Sequence, residues 1–103
     1  MRIGNHLGTA FAEIDSLPGC SQIAVSHSAF VQPEYRRMGH GEDFHKERLR
    51  LMEKNFGYDY ALCTVDVRNT AQLAILAKNG WTRFTSFESS KTGNTVAIYG
   101  RNL

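Results

Sequence analysis

The sequence predicts an α/β fold that ends in an antiparallel hairpin. Three observations predict it. Extended, apolar or β-branched stretches alternate with helix-patterned ones, the order expected of a layered α/β sheet. The last two extended stretches, residues 81–88 and 95–100, are joined by the turn-forming segment SSKTGN, a hairpin signal. The chain has 103 residues, 42% hydrophobic and 21% charged, which suits one modest core and a single domain over residues 1–103.

Residues 5–16 show helical spacing at Leu7, Ala10, Phe11 and Ile14, with Asn5 placed to cap a helix, and SLPG at 16–19 breaks the chain. Residues 21–32 are a strand pattern whose alternation slips near His27–Ala29, a bulge signal, and Pro33 ends it. Residues 41–55 are a helix pattern. His45, Leu49, Met52 and Phe56 form its apolar stripe, with Phe44 and Leu51 beside it. Glu42 and Asp43 suit the positive end of its dipole, and Gly57 stops it. Lys46, Arg48, Arg50 and Lys54 are expected on its solvated face. Residues 58–66 form a buried strand, and a second helix spans about 69–78, ended by Asn79–Gly80. Trp81 and Phe84 of the hairpin are expected in the core.

Composition excludes several function classes. A formal charge of +2 is too mild to argue for nucleic acid, and Glu42, Asp43, Glu47 and Glu53 dilute the basic helix face. No apolar run reaches the ~18 residues of a membrane span, and the N-terminus lacks a secretory pattern. Two cysteines, Cys20 and Cys63, make no disulfide framework, and reduced thiols point to the cytoplasm. No histidine pair has the spacing of a helical zinc site, so no metal is expected.

The segment QPEYRRMGHGEDF, residues 32–44, carries the chemistry. It places Gly-x-Gly and two arginines where an extended segment turns into a helix. The first turn of a helix has N–H groups without intrahelical partners, and glycine lets a ligand approach them. With the helix dipole they make an anion site suited to a diphosphate, and Arg36 and Arg37 add positive charge. Gly-x-Gly alone is equally an ordinary turn. It is neither the dinucleotide fingerprint, since residue 44 is Phe, nor a Walker loop.

The wider segment FVQPEYRRMGHG resembles the acetyl-CoA signature V-x-P-x-[YF]-[RQ]-x-x-G-x-[GA] of the GNAT acetyltransferase superfamily, through Val31, Pro33, Tyr35, Arg36, Gly39 and Gly41. Downstream, NTAQLAILAKNGW is similar to the family's N-x-x-A-x-x-L-Y-x-K-x-G-F, with Asn69, Lys78, Gly80 and Trp81 in register. The resemblance covers roughly residues 21–103. It implies a mixed sheet with a splayed central parallel strand pair, helices on both faces and an abbreviated N-terminal region. It further implies acetyl-CoA as co-substrate and a primary amine, on a small molecule or a protein, as acceptor. The pantetheine arm would pair with backbone at Phe30 and Val31. The diphosphate would rest on amides around Met38, Gly39, His40, Gly41 and Glu42, beside Arg36 and Arg37, and Asn69 would lie on the far side of the arm.

The family's usual proton-donating tyrosine falls at Leu76, which has no proton to give. Tyr58, Tyr60 and Cys63 are the substitutes, and His27 is a candidate base on the motif strand. Each has a plainer role as a strand residue, Cys63 as a buried thiol. The alternative function is a non-catalytic module that binds CoA or a protein partner; a homodimer would supply a wall that the short N-terminal region lacks.

Overall fold

The computed structural model describes residues 1–103. Six strands form one mixed sheet in the order β1-β2-β3-β4-β6-β5. They are β1 (Arg2–Gly4), β2 (Ala10–Leu17), β3 (Cys20–Val31), β4 (Tyr60–Asp66), β5 (Thr82–Glu88) and β6 (Thr95–Asn102). Helix α1 (His40–Arg50) links β3 to β4 and continues into a wider π turn over Leu51–Asn55; α2 (Thr70–Lys78) links β4 to β5.

The N-terminal helix expected over residues 5–16 is instead a turn and the strand β2. Ala10, Ala12 and Ile14 are buried, while Phe11 and Glu13 between them are only half-buried, so the period is two. Asn5 caps a turn and not a helix: its Oδ1 accepts from the amides of Thr9 at 2.8 Å and Ala10 at 3.1 Å. Pro18 and Gly19 then form a tight hairpin turn that pairs Leu17 with Cys20, with Gly19 at the positive φ of 81° that the second central residue of a type II turn requires.

The strand expected over 21–32 is β3, and the slip near His27–Ala29 is a bulge. Phe11 pairs with Phe30 and Glu13 with His27, so Ala12 faces two residues, Ser28 and Ala29. Ser28 takes the left-handed φ of 55°. β3 and β4 run parallel from Ile23↔Tyr60 to Ser26↔Cys63, and there their pairing stops. β4 nevertheless stays paired with β6 as far as Asp66↔Val96. The two central strands therefore splay beyond the bulge. The C-terminal hairpin pairs β5 with β6 from Thr82↔Gly100 to Glu88↔Thr95.

The sheet, the splay and the hairpin match the expectation, but the helix placement differs. Met52 and Leu76 share one core cluster with Ile14, Ala24, Ala61, Val65, Ala97 and Trp81. Those strand residues alternate onto a single face, and right-handed crossovers from β3 to β4 and from β4 to β5 send both helices there. No helix covers the opposite face, where Tyr60 stacks on Phe84, ring centroids 6.3 Å apart. Phe84 is thus 55% exposed and not a core residue, whereas Trp81 is buried. Arg48, expected on the solvated side of α1, is also buried, at 5% exposure. It follows Phe44 by four residues and precedes Met52 by four, which places it on the inward stripe.

Candidate active site

The splay opens a cavity of about 230 Å³ between β3 and β4, roofed by the helices. β3 contributes the bulge residues His27, Ser28 and Ala29, and β4 contributes Cys63 to Asp66. Asn69 and Gln72 line it from α2, and His45 and Arg48 from α1. Asn69 also caps α2, its Oδ1 accepting the Gln72 amide at 3.2 Å. A bulge next to a broken ladder leaves strand-edge backbone without a protein partner, and an extended ligand can use it.

Past the C-terminal end of β3, Gly39 begins α1 with φ 81° and nothing within 4 Å of where a Cβ would stand. The first intrahelical acceptor is used by Asp43, whose amide donates to Gly39 O at 3.0 Å. The amides of Met38, Gly39, His40, Gly41 and Glu42 have no protein acceptor. Side chains brace this turn. Asn5 donates to Thr9 Oγ1 at 2.8 Å, and the Thr9 hydroxyl is hydrogen-bonded to His40 Nδ1 at 2.7 Å. His40 also stacks on Tyr35. Arg36 Nε donates to Val31 O at 2.9 Å, with its guanidinium over the Phe30 ring. Arg37 is left-handed, with φ 64°. Of the two acidic residues in the first turn, Glu42 is paired with Lys78 at 3.6 Å.

His27 is held on the sheet's helix-free face by β2. Its Nε2–H donates to Asp15 Oδ2 at 2.9 Å, and its Nδ1 lies 3.1 Å from Ser28 Oγ. The Met1 ammonium, 2.7 Å from Asp15 Oδ1, and then His27 hold the Asp15 carboxyl below its ordinary range. An ionised Asp15 only accepts, so Nε2 carries a proton, while Nδ1 faces the Ser28 hydroxyl with Glu13 Oε2 3.9 Å away.

The inner wall is polar. Trp81 Nε1–H donates to His45 Nε2 at 2.8 Å. Arg48 Nη1 donates to Ser26 Oγ at 3.0 Å, and its guanidinium lies over Phe44 at 4.8 Å. Burial, then the Arg48 charge, push His45 down to about 4. Burial also pushes Arg48 down to about 10 and the Cys63 thiol up to about 12.

The structure thus brings His27, Cys63 and Asn69 to one cavity; Met38 to Glu42 do not line it and lie past the C-terminal end of β3, at the start of α1. Phe30 is half-exposed on the bulged strand, and Val31 packs toward Phe44 while its carbonyl is taken by Arg36. Tyr60 stands apart at the start of β4, on the helix-free face against Phe84. Tyr58 is engaged with Ser16, hydroxyl to hydroxyl at 2.8 Å. Leu76 is fully buried. Sequence reasoning missed Asp15, Ser28, Arg48 and His45 as a set. The Pro18–Gly19 turn signals the hairpin but not its register: uninterrupted pairing from Leu17↔Cys20 would set Glu13 opposite Ala24, and the shift between Ser16 and Leu17 is what brings it opposite His27.

No family's sequence model and no curated protein matches the chain. Solved structures do match. The ribosomal-protein-S18-alanine N-acetyltransferase from Escherichia coli superposes with a TM-score of 0.78 at 19% identity, covering 99% of this chain and 68% of that one. A GNAT-family acetyltransferase from Streptococcus pneumoniae gives 0.75 at 17%, covering 91% and 58%. The IAA acetyltransferase from Bacillus cereus gives 0.81 at 12%, covering 92% and 70%. The chain has the fold of the GNAT acetyltransferases and spans 58–70% of the length of these three.

Proposed function

We propose that the protein is a small GNAT-superfamily acyltransferase that moves an acetyl group from acetyl-CoA to a primary amine of a small molecule or a protein. One observation carries this reading: the strand that opens the splay cavity ends at Val31, beside a helix start whose amides have no protein partner. A diphosphate satisfies the amides of Met38 to Glu42, with Arg36 and Arg37 offsetting its charge. An extended pantetheine arm satisfies the free edge of β3, and Asn69 faces it from α2. The fit is supported by the open space over Gly39, and Gly41 has only Val31 Cγ2 near its Cβ position, at 3.6 Å.

In this reading, acetyl-CoA supplies a thioester carbon open to attack. The amine nitrogen bonds to that carbon, the C–S bond breaks, and CoA leaves as a thiolate. The proton lost by the amine passes through Ser28 Oγ to His27 Nδ1, while Asp15 stabilises the resulting imidazolium. Cys63 stays out of this chain, because a thiol near 12 holds its proton against an ordinary thiolate. Tyr60, on the far face, stays out by position. Loss of the family tyrosine at Leu76 is tolerable, since an ordinary cysteine thiol titrates at ~8.5 and a thiolate of that kind leaves without an acid. The two free thiols fit a cytoplasmic protein. Calorimetric titration with acetyl-CoA, followed by thiol release across a panel of amines, tests the reading; no heat of binding refutes it, and binding without turnover leaves the CoA-binding module.

A further inference from the structure

Arg48 is a buried cation without an anion. It lines the splay cavity at 5% exposure and takes part in none of the protein's ion pairs. Its Nη1 is used by Ser26, but its Nε has no acceptor. Its Nη2 lies 3.5 Å from His45 Nδ1. That contact is not a hydrogen bond. Trp81 occupies the His45 Nε2 lone pair, so neutral His45 carries its proton on Nδ1, and two donors face each other. The Nε–Nη2 edge, the fork that grips a carboxylate in two parallel hydrogen bonds, therefore has no protein acceptor; its Nε is closed to solvent in the empty protein, so a carboxylate reaches the edge with a small shift of the guanidinium. No nearby group fills it: Cys63 is a neutral thiol, and the Asp66 carboxylate is gripped by Arg68 at 3.0 and 3.1 Å.

We propose that Arg48 is a specificity-determining residue that selects a CoA thioester whose acyl chain ends in a carboxylate, of the succinyl or malonyl type. This rests on the CoA-dependent acyltransferase reading above and replaces the acetyl group of its donor by an acyl chain that ends in a carboxylate. The bond changes of transfer are as before: N–C forms, C–S breaks, and the amine proton goes to the base. The distal carboxylate is a spectator that orients the chain against Arg48 and the His45 Nδ1–H.

The test is calorimetric titration of the full chain with acetyl-CoA, succinyl-CoA and the neutral amide analogue of succinyl-CoA. The expected result is succinyl-CoA bound at least about tenfold more tightly than either of the others. The amide analogue matches its size without its charge and needs no variant. In Arg48→Met and Arg48→Gln, the succinyl-to-acetyl ratio should fall toward one. Acetyl-CoA bound as tightly as succinyl-CoA overturns this inference and leaves the acyltransferase reading standing; no binding of any CoA species overturns both. A second arm turns over acetyl-CoA with glutamate or glutamine as acceptor. Preference for glutamate without preference for succinyl-CoA puts the carboxylate on the acceptor and overturns the acyl assignment.

Discussion

The indole of Trp81, just after α2, donates to His45 of α1 at 2.8 Å beneath the sheet, tying the two helices through a buried polar bond. The bond requires His45 to be neutral, and burial enforces that. Unfolded, His45 titrates near 6.5; folded, it titrates near 4. Between those values the unfolded chain binds a proton that the folded chain refuses, so stability is full above pH 6.5 and is lost as pH falls toward 4. The loss should reach about 3 kcal/mol. Below that window Asp15 and Asp66, both lowered, extend the decline. Urea midpoints from neutral pH to pH 4 check this, and His45→Leu should flatten the upper part of the curve. An unchanged slope in that variant would assign the effect elsewhere.

Arg48 should be a net cost to the apo fold. Its charge is desolvated, its Nε is unbonded, and no carboxylate pairs with it. Replacing a buried, uncompensated charge by an apolar side chain of similar length is often stabilising by about 1–3 kcal/mol. Arg48→Met should therefore raise the urea midpoint with the m-value unchanged. A lower midpoint would mean that the Ser26 bond and the Phe44 stacking outweigh the desolvation.

Gly41 should tolerate alanine and reject tryptophan for different reasons. A Cβ there meets only Val31 Cγ2 at 3.6 Å, an ordinary contact, so Gly41→Ala should fold normally. An indole would cover the amides of the first turn. At acetyl-CoA one hundred times its Kd, wild type should gain about 2.7 kcal/mol, a melting shift on the order of 10 °C. Gly41→Trp should lose that shift while its ligand-free melting point stays within a few degrees. A shift that survives would move the diphosphate off this turn.

Much of this was legible in the sequence, and the failures have physical causes. The β3–α1–β4 order and the hairpin followed from pattern, and the two motifs fell on the elements they needed. Residues 5–16 misled because Leu7, Ala10, Phe11 and Ile14 fit a helix, while the inward-facing Ala10 and Ala12 are too small to advertise a period of two. Residue charge placed Arg48 on the solvated face, although the spacing from Phe44 and to Met52 put it inside. Exposure of Phe84 was illegible because it depends on which face the helices take, a property of crossover handedness and not of local pattern. Pairing of Asp15 with His27 became visible only once residues 10–17 were seen to be a strand.

That pairing carries the last prediction. Asp15 fixes the His27 proton on Nε2, and Nδ1 meets Ser28 at the mouth of the splay. If this relay takes the amine proton, His27→Ala should lower kcat by about 10²–10⁴ while acetyl-CoA still binds, because neither side chain reaches the helix start. Asp15→Asn should give a smaller loss of the same kind, since an amide can hold the ring but not stabilise the imidazolium. Groups acting as one unit are not additive, so the double variant should be no slower than His27→Ala alone. Added imidazole should restore part of the His27→Ala rate, which a purely structural histidine would not allow. Losses that multiply in the double variant, with no imidazole rescue, would mean that the two residues only brace β2 against β3, and the proton would then need another acceptor.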